Sequence, residues 1–160
     1  FAVSTNTSTP QNLMVDGSFD NPWVQGWSTD DSTGITKDTS SHGSPNNPAN
    51  SIAVHTTSGT RHLFSPKIGV DATKSYYLEN YLNITNNPSG EVGIYIDEYN
   101  SAGAWVSGQY KMTVNTLGVT TSALTYRPTS TQVSTIRVQY IFTTTSTLDA
   151  YLDDSRLFVL

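Results

Sequence analysis

The sequence predicts an all-β sandwich of two antiparallel sheets, and three observations carry that expectation. Apolar and polar residues alternate over short stretches with the period of two that a strand imposes, and no helix-period pattern persists for three turns. Gly and Pro punctuate the whole chain at strand-sized intervals. Only 13% of residues are charged while Ser, Thr and Asn abound, so the Lys, Glu and Ala that long helices need are scarce. The 160 residues suit one domain with room for a true core. The apolar fraction of 36% is low for a helical protein but sufficient where each strand turns one face to water.

Residues 1–10 read as a Ser/Thr-rich linker or a frayed terminus, because Phe1-Ala-Val is followed by Ser4-Thr-Asn-Thr-Ser-Thr-Pro10 and has no charged segment of a signal peptide. Residues 11–160 form the sandwich. Strands are expected near 11–16, 24–29, 33–37, 50–56, 61–68, 75–84, 91–99, 105–114, 120–126, 134–143 and 148–159. The first and last are apolar-rich bookends carrying acidic residues: Asn12-Leu-Met-Val-Asp-Gly-Ser-Phe-Asp20 and Ala150-Tyr-Leu-Asp-Asp-Ser-Arg-Leu-Phe158. Asn46-Asn-Pro48, Asn86-Asn-Pro-Ser-Gly90 and Asn100-Ser-Ala-Gly103 are turns, where Gly and Asn allow positive φ and Pro fixes its own. In 75–84 one face holds Tyr76, Leu78, Asn80 and Leu82, and the other Tyr77, Glu79, Tyr81 and Asn83. In 91–99 Val92, Ile94 and Ile96 oppose Tyr95, Asp97 and Tyr99. In 134–143 Ile136, Val138, Tyr140 and Phe142 face inward, with Arg137 and Gln139 opposite.

The outward sets share one chemistry: Tyr, amides, carboxylates and an Arg, with few aliphatics. Sugars need such a surface, since their C–H faces lie on rings and their hydroxyls need planar donors and acceptors at the ring edges. The competing reading is that each outward Tyr only adds cross-strand stabilisation. Trp105, just past the turn at Asn100, is the leading stacking candidate against a role as a lid on the core. Trp23, after Pro22, is a candidate cleft wall, and Trp27 a core residue. The full candidate binding set is Trp105, Tyr95, Asp97, Tyr99, Tyr77, Glu79, Tyr81, Asn83, Gln109, Arg137, Gln139 and Trp23, expected on one concave side.

The bookends resemble those of the carbohydrate-binding modules of the family 4/9/16/22 group, which are jelly-roll β-sandwiches. The opening pattern stands here as Asn12-Leu13, Asp16-Gly17-Ser18-Phe19-Asp20 and Gly26-Trp27. The closing one stands as Tyr151-Leu152-Asp153-Asp154-Ser155-Arg156-Leu157. The resemblance implies a jelly roll and non-catalytic binding of a β-linked polysaccharide or its oligosaccharides. It also implies a structural Ca²⁺ held by the Ser18 carbonyl, the Asp20 carboxylate, one of Asp153 or Asp154, and a carbonyl between Lys37 and Gly43. The alternative for these acids is that they only cap backbone amides.

Other chemistry finds little footing. Asp97 and Glu98 are adjacent on a strand and point to opposite faces, so they do not easily flank one glycosidic bond, and no motif singles out a long-range pair such as Glu79 with Asp97. His42, His55 and His62 lack metal-ligand spacing, and no Gly-x-Ser-x-Gly elbow occurs. Zero Cys removes thiolate sites and disulfides together, and a net charge of -5 without a basic stripe speaks against nucleic acid. No apolar run is long enough to span a membrane. The expected partner is a polysaccharide, and the module a monomer tethered to a catalytic domain outside the cell or at its surface, with a composition like that of extracellular bacterial modules. The competing classes are a structural or adhesive spacer without a sugar site and a small glycan-active enzyme.

Overall fold

The computed structural model describes residues 9–87 and 89–160. Most of the expected linker and Pro88 of the Asn86–Gly90 turn lie outside the described residues. Eleven strands form: β1 Ser28–Thr29, β2 Ile35–Asp38, β3 Ser51–Thr56, β4 Gly59–Phe64, β5 Ile68–Gly69, β6 Tyr76–Asn86, β7 Gly90–Asn100, β8 Trp105–Val114, β9 Gly118–Tyr126, β10 Val133–Thr144 and β11 Leu148–Val159. They make two antiparallel sheets. Sheet I runs β1-β4-β10-β7-β8, with β5 also on β10; sheet II runs β2-β3-β11-β6-β9. The fold is the expected all-β sandwich.

The core lies between the sheets and comes from the inward positions that period-two alternation selects. Val92, Ile94 and Ile96 of β7 meet Ile136, Val138, Tyr140 and Phe142 of β10, and all are buried. From sheet II come Leu78, Leu82 and Ile84 of β6 and Leu148, Leu152 and Leu157 of β11. Tyr140, Asn80, Ser155 and Ser122 pair with one another in this interior, as burial requires. The Tyr140 hydroxyl donates to Asn80 Oδ1 at 2.5 Å and lies 2.6 Å from Ser155 Oγ, while Asn80 Nδ2 donates to Ser122 Oγ. Burial pushes the Tyr140 phenol well above its ordinary range.

Three expected strands differ. Residues 24–29 form only the two-residue β1, because 22–26 are a turn closed by Trp27 N donating to the Pro22 carbonyl. Residues 61–68 split at Ser65-Pro66 into the end of β4 and the short β5, because Pro has no N–H to give the ladder. The opening bookend 11–16 is not a strand. Leu13 N donates to the Leu157 carbonyl at 2.7 Å, and Asn12 Oδ1 accepts from Leu157 N and Met14 N, so a side-chain amide replaces further ladder bonds. The chain then turns sharply. Asp16 and Phe19 adopt positive φ of 47° and 56°, and the Asp16 carboxylate accepts from the Asp20 and Asn21 amides. A Cβ on Gly17 would collide with the Ser155 carbonyl, which explains a Gly there. This turn places Phe19 fully in the core, 4.7 Å edge-on from Trp27.

Candidate functional site

The outer face of sheet I carries three rows of side chains, set by strand register. In the first, Phe64 of β4, Gln139 of β10, Tyr95 of β7 and Tyr110 of β8 are cross-strand neighbours. The Tyr95 and Tyr110 rings meet at 5.3 Å, edge to face. In the second, Arg137 pairs with Asp97, which neighbours Gly108. In the third, Tyr99 lies beside Trp105. Gly108 leaves a gap in the middle: a Cβ there would lie 3.4 Å from Asp97 Oδ1 and 3.7 Å from the Trp105 ring. Trp105 is 64% exposed and Tyr110 56%, so large rings stand open on this face.

The charged centre is braced but not saturated. Arg137 Nη2 donates to Asp97 Oδ2 at 3.3 Å, and its guanidinium lies 4.3 Å from the Phe64 ring centroid. Lys67 Nζ sits 3.8 Å from the Tyr99 ring centroid. Arg137 Nε is buried without a hydrogen-bond partner among the described residues. Such a donor keeps a desolvation cost until something polar meets it. Burial raises the Tyr99 phenol above its usual range, with Asp97 pushing the same way against Arg137.

Behind this face, Glu98 points inward, opposite Asp97 as alternation requires. It is fully buried and accepts from Ser107 Oγ at 2.5 Å, the Tyr126 hydroxyl at 2.6 Å, Thr129 N at 2.8 Å and Thr129 Oγ1. Burial alone would raise its carboxyl, but these hydrogen bonds outweigh it and hold the group below its ordinary range. The cluster ties β7 and β8 of sheet I to β9 of sheet II, so it fixes the strands that present Trp105 and Asp97.

The twelve candidate binding residues do not share one face. Trp105, Tyr95, Asp97, Tyr99, Arg137 and Gln139 stand together on sheet I. Tyr77, Glu79, Tyr81 and Asn83 belong to β6, which lies in sheet II, so their outward face is on the opposite side of the molecule. Gln109 also departs. Irregular pairing between β7 and β8 sets Tyr110 beside Tyr95 and Gln109 beside the inward Ile96, where Gln109 Nε2 donates to Ser107 Oγ. Trp23 lies in the turn before β1 and lines a separate cavity of about 330 Å³ with Ser28, Thr29, Ser32, Ile35 and Thr36. Phe64 and Tyr110 complete the sheet I face. Neither is in the candidate set; alternation from Trp105 selects Gln109 and passes over Tyr110.

No family model and no curated protein matches the sequence. Solved structures do match its fold. A family 61 carbohydrate-binding module in complex with β-1,4-galactotriose superposes with a TM-score of 0.68 at 11% identity, over 94% of this chain and 99% of that one. A family 16 carbohydrate-binding module gives 0.64 at 16% identity, over 91% and 99%. The C-terminal family 22 module of Clostridium thermocellum Xyn10B gives 0.58 at 13%, over 89% and 90%. The chain has the fold of these modules.

In this jelly roll the residues that the resemblance implies for a cation gather at the junction of the opening turn, β11 and the 43–50 loop. Asp153 is fully buried; its Oδ2 accepts from Ser44 N at 2.8 Å, and its Oδ1 has no partner among the described residues. A Cβ on Gly43 would collide with the Asn47 and Asn50 carbonyls and lie 2.9 Å from Asp153 Oδ2, so three oxygens converge there. Burial pushes the Asp153 carboxyl up to about 6, against the pull of the Ser44 amide. These donors are all oxygen and fit a hard cation. Other nearby oxygens already have partners. Asn47 Nδ2 donates to the Ser18 carbonyl at 2.7 Å, Asn50 Nδ2 to Asp20 Oδ1 at 2.7 Å, and Lys37 Nζ to the Asp20 carbonyl. Asp154, at a positive φ of 46° in a break of the β11–β6 register, instead turns toward Arg156 and Ser44 Oγ.

Proposed function

We propose that this chain is a non-catalytic module that binds a β-linked polysaccharide, or its oligosaccharides, on the outer face of sheet I. The observation that carries the proposal is Arg137 Nε, without a partner among the described residues, beside Asp97 and set among Trp105, Tyr95, Tyr99, Phe64 and Tyr110. Sugar rings would stack on Trp105 and Tyr95 and span the gap at Gly108. Their hydroxyls would meet Asp97, Arg137 and Gln139, which offer acceptor, donor and both. The similarity of fold to modules described with β-1,4-galactotriose supports the ligand class. Hydrolysis is the weaker reading. In these rows Asp97 is the lone carboxylate and is paired to Arg137, while Glu98 is sealed in the core; a glycosidase uses two carboxylates about 5–9.5 Å apart across one bond.

The module would act outside the cell as part of a larger enzyme, holding it on its substrate by raising local concentration. The same reading takes in a structural Ca²⁺ at Asp153, with the Asn47 and Asn50 carbonyls and, after rearrangement of their present partners, Ser18 and Asp20. It would pin the opening turn to β11. The test is affinity electrophoresis through embedded xylan, β-glucan and β-1,4-galactan. Retardation that weakens about tenfold in Trp105→Ala, or about 1.4 kcal/mol, agrees with the reading. Migration unaffected by every polysaccharide contradicts it and leaves a spacer.

A further inference from the structure

The face that the sequence grouped with the sheet I residues, and the fold separates from them, contains a cleft of its own. It is a cavity of about 390 Å³ on the outer side of sheet II. That volume lies in the range of about 300–1,000 Å³ typical of small-molecule sites. Its floor spans β11, β6 and β9, and the Ser44–Asn46 loop walls one side.

We infer that this cleft is a second saccharide site, independent of the first, that takes a neutral sugar unit between the Tyr81 ring and the Arg156 guanidinium. Arg156 is held between two carboxylates: Nη2 lies 3.1 Å from Asp154 Oδ2 and Nη1 3.5 Å from Glu79 Oε1. A planar fork held between carboxylates presents fixed donors and acceptors at one rim, the pattern that pairs of vicinal hydroxyls match. Tyr81 supplies a ring, Val119 an aliphatic wall that is 60% exposed, and Thr121 a hydroxyl. One guanidinium against two carboxylates leaves the cleft with net negative charge, which disfavours a uronate or sulfated sugar and favours a neutral one.

The local backbone was bent to build this arrangement. Asp154 keeps a positive φ, which a non-Gly residue adopts at a cost, and the break in β11 register there sends Asp153 under the loop and Asp154 into the cleft. The two sites sit on opposite sheets, so one module could hold two glycan chains or two stretches of one. The inference takes its ligand class from the carbohydrate reading above, and its location from the cleft alone.

The test is a ¹H–¹⁵N titration of the full chain with xylohexaose, cellohexaose and β-1,4-galactotriose. The expected result is two groups of saturating shifts, one in β7 and β10 and one at Tyr81, Thr121 and Arg156. Trp105→Ala should remove the first group and keep the second, and Arg156→Lys should weaken the second at least tenfold while sparing the first. Saturating shifts confined to sheet I overturn this inference and leave the sheet I reading standing. Shifts confined to sheet II overturn the sheet I reading instead, and no saturating shift with any probe overturns both.

Discussion

Replacing Glu98 with Gln tests how the candidate binding face is held. The buried carboxylate accepts from Ser107, Tyr126 and two groups of Thr129. The amide of Gln keeps one acceptor oxygen, and its NH2 can meet the Ser107 and Thr129 hydroxyls only if they turn their own protons away. At least one of the four donors then loses its acceptor, at about 1–3 kcal/mol, and the remaining bonds lose their charge assistance, worth about 1 kcal/mol more. The expected loss is about 2–4 kcal/mol at neutral pH. At about 2–4 °C per kcal/mol for a domain of this size, the Tm falls by about 4–16 °C.

The acid limb gives an independent reading. The folded carboxyl sits below its ordinary range, so between the folded and unfolded values only the unfolded chain binds the proton, and stability rises with pH there. Glu98 therefore contributes its full share above the unfolded value of about 4.3 and loses it as pH falls through the folded one. Urea unfolding between pH 2 and 7, wild type against variant, measures both (the pH limits span about two units either side of that value). A variant within about 0.5 kcal/mol of wild type at pH 7, the scatter of ordinary surface changes, or an unchanged acid slope, refutes the reasoning.

Other outcomes follow from the same geometry. Arg137→Met removes the fork that faces Asp97 and should abolish polysaccharide retardation, while Arg137→Lys should weaken it about tenfold because an ammonium does not reproduce planar pairing; equal retardation of all three proteins would remove Arg137 from the site. Tyr140→Phe leaves Asn80 and Ser155 without their shared partner and should lower the urea midpoint by the equivalent of about 1–2 kcal/mol, with the slope unchanged. Chelator should lower the Tm and excess Ca²⁺ restore it, by about 2.7 kcal/mol at a hundredfold excess over Kd, and Asp153→Asn should erase the difference. Identical melts with and without chelator would leave Asp153 as a purely structural acid.

The fold was legible because period-two alternation survives in β6, β7 and β10, whose inward residues are those buried in the core. The division of the candidate binding residues was not. β6 and β7 are consecutive in sequence and separated by a short turn, and consecutive strands usually neighbour one another, yet here they enter different sheets. Nothing in Tyr76–Asn83 or Glu91–Tyr99 distinguishes a hairpin from a crossing between layers. In β8 the alternation from Trp105 points to Gln109 as its face-mate; an extra residue in the pairing reverses the parity and brings Tyr110 forward. The Asp153-Asp154 pair was visible, but a plain strand would send the two to opposite faces. The break in register instead buries one under the Ser44 loop and gives the other to the sheet II cleft. The opening bookend marked the right segment with the wrong conformation, because Asn12 does with its side chain what a strand does with its backbone.

Intermolecular NOEs between the sugar and the aromatic protons of the chain, recorded at saturating oligosaccharide, test the central claim most directly. The account predicts contacts from sugar C–H protons to Trp105 and Tyr95. A saturated complex whose NOEs reach neither ring would contradict it.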